Sequence, residues 1–161
     1  MRRRPIPVWN TRSPRDRVVL VLAPLAALLA TASQACAQVT LTGNNNLADP
    51  ASIDATTDLV IGQGGTGELT IVNGSTLTNN TGFIGDDTHD IGTVTVSGQG
   101  SQWNNLGDVV VGQYGKGELD IQGGGLVASG VGYIGASPGS IGVVNISGSD
   151  GLGNASTLIV R

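Results

Sequence analysis

The sequence predicts an all-β protein, a right-handed parallel β-solenoid of about four coils with about 25 residues each. One motif, a glycine followed by alternating apolar residues, recurs with its glycines 25 positions apart, at Gly67, Gly92, Gly117 and Gly142. Each motif has the period of two that is typical of a strand with one buried face. No segment after residue 37 has the apolar spacing of a helix.

The first 37 residues predict a secretory signal peptide. Six arginines precede or adjoin an apolar run from Val18 to Ala30, and Ala35-Cys36-Ala37 supplies small residues at a cleavage position. The run is too short for a membrane span of about 20 residues. We expect cleavage after Ala37 and export to the cell surface or beyond it. An uncleaved anchor and a lipid-modified Cys36 are the alternatives.

Removal of this leader leaves a strongly acidic chain. Residues 38–161 carry 11 acidic residues against Lys116 and Arg161, a net charge of −9, and they contain no cysteine. Nucleic acid is not an expected partner, because phosphate backbones are bound by clustered Lys and Arg. Without disulfides, burial and hydrogen bonding must hold an exported domain of this kind together.

Residues 38–58 predict a linker or an N-terminal first turn. The stretch from Gly43 to Asp58 is polar, contains Pro50 and has mostly small residues. Such a composition is typical of turns and connecting segments.

Residues 59–161 form the predicted solenoid, as two 50-residue repeats, 59–108 and 109–158, with the chain ending mid-coil. Residues one coil apart should lie one above the other, so two inward columns are expected. The first column is Leu69, Val94, Leu119 and Val144, and the second is Ile71, Val96, Ile121 and Ile146. The glycines are expected at corners, where a positive φ or close packing is needed.

The glycine-rich stretches are similar to ligand-binding loops in composition but not in detail. A phosphate-binding loop needs Gly-Lys-Ser/Thr at the start of a helix, whereas Gly115-Lys116 is followed by Gly117 and a predicted strand. A calcium-binding nonapeptide repeat needs Asp at the position of Leu69 and Leu119. We therefore predict no catalytic, cofactor-binding or metal-binding residue.

The segment from Leu59 to Arg161 resembles the type V secretion and PEP-CTERM-associated repeat, which occurs in autotransporter passengers. The most specific part is "VTVSGQGSQW", which ends at Trp103, and the second copy, "VNISGSDGLGNAS", lacks this tryptophan. The resemblance implies a surface-exposed or secreted passenger stalk without catalytic residues. A membrane link would then require a C-terminal barrel that this sequence does not contain. Ile159-Val160 aligns with Val109-Val110, which belong to a predicted strand. The sequence would then end within a strand, so we expect it to be a fragment.

An enzyme is the first alternative, because parallel β-helices include polysaccharide lyases and glycosidases. The candidate cluster is "GDDTHD", with Asp86, Asp87, His89 and Asp90. The matching stretch of the second repeat is "GASPGS", which has no titratable group, so a solvated turn is favoured. The acids that match between repeats are interpreted as outward groups that keep a sheet soluble. They are Asp58 with Asp108 and Glu68 with Glu118.

A carbohydrate-binding adhesin module is the second alternative, in which Trp103 and Tyr114 would stack on a surface glycan. The preferred hypothesis is a non-enzymatic stalk segment, structural or adhesive. Its ends should self-associate, because "TLIVR" places one charge, Arg161, beside three aliphatic residues, and nothing there is similar to a cap.

Overall fold

The computed structural model describes residues 37–47 and 49–161. The predicted signal peptide lies outside this part except for Ala37, so its cleavage stays a prediction. The described residues form 13 β-strands and one 3-10 helix, Pro50–Ser52. The strands are β1 Gln38–Gly43, β2 Leu59–Ile61, β3 Thr66–Val72, β4 Thr76–Asn79, β5 Gly82–Ile84, β6 Ile91–Ser97, β7 Gln102–Asn105, β8 Val109–Val111, β9 Lys116–Gln122, β10 Leu126–Ser129, β11 Gly132–Ile134, β12 Ile141–Ser147 and β13 Thr157–Val160.

Strands β2 to β13 wind through four coils, and each coil contributes one strand to each of three sheets. Sheet A has the order β1-β3-β6-β9-β12, sheet B has β2-β5-β8-β11, and sheet C has β4-β7-β10-β13. All pairs between successive coils are parallel. The predicted parallel β-solenoid of about four coils is therefore confirmed.

Sheet A contains both predicted inward columns. Leu69 pairs in register with Val94, Val94 with Leu119, and Leu119 with Val144. The first three are fully buried, whereas the polar residues that alternate with them, such as Glu118, face solvent. The alternation of the sequence thus determines which face of each strand enters the core.

Sheet C places polar groups inside the core. Trp103 is fully buried, and its Nε1–H donates to Asn79 Oδ1 at 2.6 Å. Asn79 Nδ2 in turn donates to Asn105 Oδ1 at 2.9 Å. A Cβ atom on Gly82 would lie 2.5 Å from the Trp103 ring, so glycine makes room for the indole. This short network satisfies the indole N–H and the Asn79 side chain, whereas the buried Asn105 Nδ2 has no hydrogen-bond partner.

The recurring glycines at the ends of sheet B strands are required by coil stacking. Gly85 has φ +71° and Gly112 has φ +72°. A Cβ atom on Gly85 would overlap the backbone carbonyl of Lys116, and one on Gly112 would overlap that of Ile141. Both positions therefore need the left-handed backbone conformation and the close approach that glycine alone allows.

Residues 38–58 pack on the first coil as a cover. Strand β1 runs antiparallel to β3, with Val39 opposite Ile71 and Leu41 opposite Leu69. Val39, Leu41, Leu47 and Ile53 contact the buried core. The predicted linker or first turn is therefore an antiparallel strand followed by a packed loop, and it continues the two apolar columns beyond β3.

The last strand lies in a different sheet from the one the sequence alignment predicts. Ile159-Val160 was expected at the position of Val109-Val110 in sheet B, but β13 pairs with β10 in sheet C. Ser156 takes the corner position of Ser101, since each hydroxyl donates to a backbone carbonyl at 2.7 Å. These serines are 55 rather than 50 residues apart. The alignment is wrong because a turn insertion of five residues precedes β13.

Candidate functional site

The acidic turn between β5 and β6 is the cluster that the sequence singles out for chemistry. Asp90, at its end, is 2% exposed. Its Oδ1 accepts the Gly64 N–H of the preceding coil at 2.7 Å, and its Oδ2 accepts the Asp87 N–H at 3.0 Å. Both carboxylate oxygens thus bind backbone groups, one within the turn and one between coils.

The matching turn of the second repeat makes the same bond with a different residue. The Ser137 N–H donates to Ser140 Oγ at 3.2 Å, as the Asp87 N–H does to Asp90. The backbone bond that closes each turn is also shared, at 3.1 Å from Ser140 N and 2.9 Å from Asp90 N. A hydroxyl can replace the carboxylate at this position, which indicates a structural role for Asp90.

The acidic turn borders an open recess of about 350 Å³, which is lined by Gln63, Gly64, Asp86, Asp87, His89 and Asp90. Partial burial raises the pKa of the Asp86 carboxyl above its ordinary value, and the Asp90 and Asp87 carboxylates raise it further. His89 is exposed, and its Nδ1 lies 3.1 Å from Thr88 Oγ1. No group of three or more His, Cys, Asp or Glu side chains within residues 37–47 and 49–161 has the arrangement of a metal site.

Asp58 and Asp108, which directly precede the sheet B strands β2 and β8, make hydrogen bonds between coils. Asp58 Oδ1 accepts the Thr81 N–H at 3.2 Å and Asn80 Nδ2 at 2.8 Å. In the second repeat Asp108 Oδ1 accepts the Val131 N–H at 3.0 Å. The solubility interpretation therefore misses their role, which is to bond the turn of the next coil.

The glutamates that match between repeats lie on the outer face of sheet A. Glu68 and Glu118 are both exposed. Glu118 Oε1 accepts Asn145 Nδ2 at 3.2 Å, and Glu68 Oε1 accepts Thr70 Oγ1 at 3.2 Å. Their positions agree with an outward, solvated role.

The two aromatics that the sequence offers for glycan stacking are not available together. Trp103 is fully buried, whereas Tyr114 is 51% exposed. An indole inside the core cannot stack on a ligand at the surface, so the prediction that Trp103 and Tyr114 stack together on a glycan is wrong. The sequence gives no direct sign of this, because a tryptophan on a sheet strand can face either side.

Another aromatic pair lies on the outer face of the solenoid and was not singled out from the sequence as a binding site. Phe83 and Tyr133 occupy the centres of β5 and β11, with Val110 in register between them. The residues on both sides of Val110 in β8 face the core, so the central position faces outward. The spacing of 23 and 27 residues along sheet B hides this column from a search at a fixed period of 25.

Fold and polar contacts together define a β-solenoid repeat protein in which charged and hydroxyl side chains bond one coil to the next. Compared with known proteins, the chain matches no family model, no curated protein and no solved structure. The resemblance to the autotransporter-associated repeat therefore stays a prediction. In the part of the chain that the structure describes, no helix is long and apolar enough to cross a membrane.

Proposed function

We propose that the chain is a non-enzymatic structural segment, a stalk, of an exported protein displayed at the cell surface. The observation that carries this proposal is that matching positions of the two internal repeats make hydrogen bonds between coils. Asp58 and Asp108 each accept a backbone N–H from the next coil, at Thr81 and Val131. When repeated polar residues bond each coil to the next one, coils can be added along one axis, as a stalk requires.

Export is supported by the arginine-rich leader, by the short apolar run that follows it and by the small residues before Gln38. The resemblance of Leu59 to Arg161 to the type V secretion and PEP-CTERM-associated repeat supports the same destination. Amino-terminal sequencing of exported material should find Gln38 as the first residue.

A non-enzymatic role is supported by the acidic turn. Asp90 is engaged by two backbone N–H groups, and Ser140 makes the equivalent turn contact in the second repeat. A carbohydrate-active enzyme of the β-helix type is the competing function. It would use Asp86 or His89, which line the open recess.

The stalk proposal is tested by duplicating residues 85–134 after Ile134. The junction is seamless because Gly85 and Gly135 are equivalent and each follows an isoleucine. Two added coils should lengthen the particle by about 10 Å and increase its resistance to urea. Small-angle scattering and urea unfolding measure both. A control duplication of residues 85–121 at the same site adds about one and a half coils, which breaks the order of the sheets, and should disrupt folding.

The competing enzyme is tested on the same preparations by incubation with neutral and acidic polysaccharides. We expect no release of new chain ends. Release that is lost in the Asp86→Asn and His89→Ala variants would overturn the non-enzymatic proposal. Loss of folding in the seamless duplication would instead contradict the modular stalk, so the two failures are distinct.

Self-association through the C-terminal end is the partner interaction that we propose for this segment. Ile134, Ile146 and Val160 lie at inward-facing register positions of β11, β12 and β13, yet they are 55%, 49% and 51% exposed. Residues 132–161 carry one acid and one base, Asp150 and Arg161, so two such ends meet without net charge repulsion. A second copy of the chain, placed tail to tail, is the expected occupant.

A further inference from the structure

A shallow groove crosses the outer face of sheet B, and it adjoins the acidic turn, because the Gln113 N–H donates to the Gly85 carbonyl at 3.0 Å. It has a volume of about 360 Å³ and is lined by Phe83, Val110, Gln113, Tyr133, Ala136 and Ser137. Val110 forms the floor and is only 7% exposed, although it faces outward. Tyr133 is 45% exposed. The groove thus combines an aliphatic floor with an accessible aromatic side chain.

Two features of this groove restrict the ligand. All six lining residues are uncharged, on a segment, residues 38–161, with a net charge of −9. The Gln113 side-chain oxygen, Oε1, is buried and has no hydrogen-bond partner. A buried acceptor without a donor is unfavourable, so a ligand that brings a hydroxyl or N–H donor would be favoured here. The uncharged lining and the unpartnered Gln113 acceptor therefore favour an uncharged ligand with an apolar face and hydrogen-bond donors.

We propose that this groove binds a neutral polysaccharide along the solenoid axis. Pyranose rings present an apolar C–H face that packs on aromatic side chains, and a rotation of the Gln113 side chain would bring its unpartnered Oε1 to a ligand hydroxyl. Phe83 and Tyr133 are two coils apart, which places them about 10 Å from each other. This separation is close to the length of an extended disaccharide, so neighbouring aromatics can contact alternate sugars.

An extended peptide fits the groove less well than a sugar chain does. Peptides bind sheets mainly by pairing with a free strand edge. The groove lies on the face of sheet B, where β8 is already paired with β5 on one side and β11 on the other. The binding role goes beyond the stalk proposal, because a stalk that binds no glycan is still a stalk.

The test is calorimetric titration of residues 38–161 with cellohexaose and mannohexaose, and with polygalacturonate as an anionic comparison. We expect at least one neutral hexasaccharide to bind, and polygalacturonate to bind more weakly. Tyr133→Ala and Gln113→Ala should each weaken binding by about tenfold or more. Tyr133→Phe should retain binding, because the ring stays. Tyr114→Ala is the matched control, since Tyr114 is exposed but does not line the groove.

The proposal is overturned if neither neutral hexasaccharide binds at millimolar concentration. It is also overturned if polygalacturonate binds more tightly, or if Tyr133→Ala binds as the parent does. Circular dichroism of each variant checks that the solenoid is intact, and Tyr133→Leu, which removes the ring but keeps an apolar side chain, tests the ring if Tyr133→Ala unfolds.

Discussion

The two ends of the solenoid differ in how their apolar columns are covered. At the N-terminal end Leu69 and Ile71 of β3 are fully buried, because β1 extends sheet A by one antiparallel strand. At the C-terminal end their column partners in β12, Val144 and Ile146, are only partly buried or exposed. An identical strand pattern therefore gives a closed core at one end and an open one at the other. Burial here depends on the neighbouring strand and not on the strand's own sequence.

The N-terminal cover also completes the backbone hydrogen bonds of sheet B. Asn46 N–H donates to the Val60 carbonyl at 3.3 Å, and Asn46 Oδ1 accepts the Val60 N–H at 2.8 Å. The Asn46 side chain also donates to the Asp58 carbonyl at 2.6 Å. One asparagine thus substitutes for a missing strand at the edge of β2. The cover protects an edge that would otherwise be free for association.

The largest effect should come from truncating the same column at the two ends. Ile71→Ala should lower the free energy of unfolding by about 2–5 kcal/mol, because it empties a fully buried site. Ile146→Ala should change it by less than about 1 kcal/mol, since that side chain is already half exposed. Urea unfolding of both variants measures the difference, with Glu118→Gln as a surface control. Equal losses at both positions would show that the open end is closed in solution.

The oligomeric state provides a second test of the difference between the covered and the open end. Residues 38–161 should show concentration-dependent self-association in sedimentation velocity at micromolar concentration. Ile146→Lys places a charge on the open apolar end and should shift the protein to monomer. Thr42→Lys, on the exposed part of β1 at the covered end, should leave the association unchanged. A parent protein that sediments as a monomer at every concentration would contradict self-association through this end.

A smaller effect is expected from the asparagines of the two ends. Asn46→Ala removes two side-chain hydrogen bonds at the covered end and should cost about 1–2 kcal/mol. It should retain the Asn46 backbone bond, which limits the loss. Asn145→Ala removes side-chain bonds to Glu118 and Asp120 on the open surface and should cost less than about 0.5 kcal/mol. Thermal unfolding at one pH compares the two, and a larger loss for Asn145→Ala would refute the capping role.

The smallest expected effect concerns the acidic turn, whose counterpart nearer the open end has no titratable group. Folding raises the pKa of Asp86, so the folded state loses stability as the pH rises through that raised pKa. Asp86→Asn should therefore be slightly more stable than the parent at pH 7, and this advantage should disappear below the ordinary Asp pKa. Thermal unfolding from pH 3 to pH 7 follows the difference, with Glu68→Gln as control. A gain that grows at low pH would have the wrong sign.

The repeating part of the fold could be predicted from the sequence because a strand buried on one face has a fixed period. Leu69, Val94 and Leu119 are 25 residues apart and stack in register. The cover could not be predicted, since "GNNNLADP" has the composition of a loop and its hydrogen bonds are with distant residues. The position of β13 was missed because an insertion in a turn is invisible when a fixed repeat length is applied.

The candidate site could be predicted less well, for a physical reason. A carboxylate that binds a backbone N–H and one that faces solvent have the same letter in the sequence. Asp90 and Asp58 each differ from a surface acid only through partners in another coil, at Gly64 and Thr81. Phe83 and Tyr133 are 50 residues apart, as the repeat length predicts, but the position of Val110 between them follows only from the register of sheet B, where it is 27 residues from Phe83 and 23 from Tyr133.

Amide hydrogen exchange of residues 38–161 tests most directly the central claim, that a covered coil is a stable structural unit and an uncovered one is not. At concentrations low enough for a monomer, the hydrogen-bonded amides of β3 should be as protected as those of β6 and β9. Those of β12 should exchange much faster, and their protection should rise with protein concentration. Equal protection of β3 and β12 in the monomer, or fast exchange throughout β3, would contradict the account.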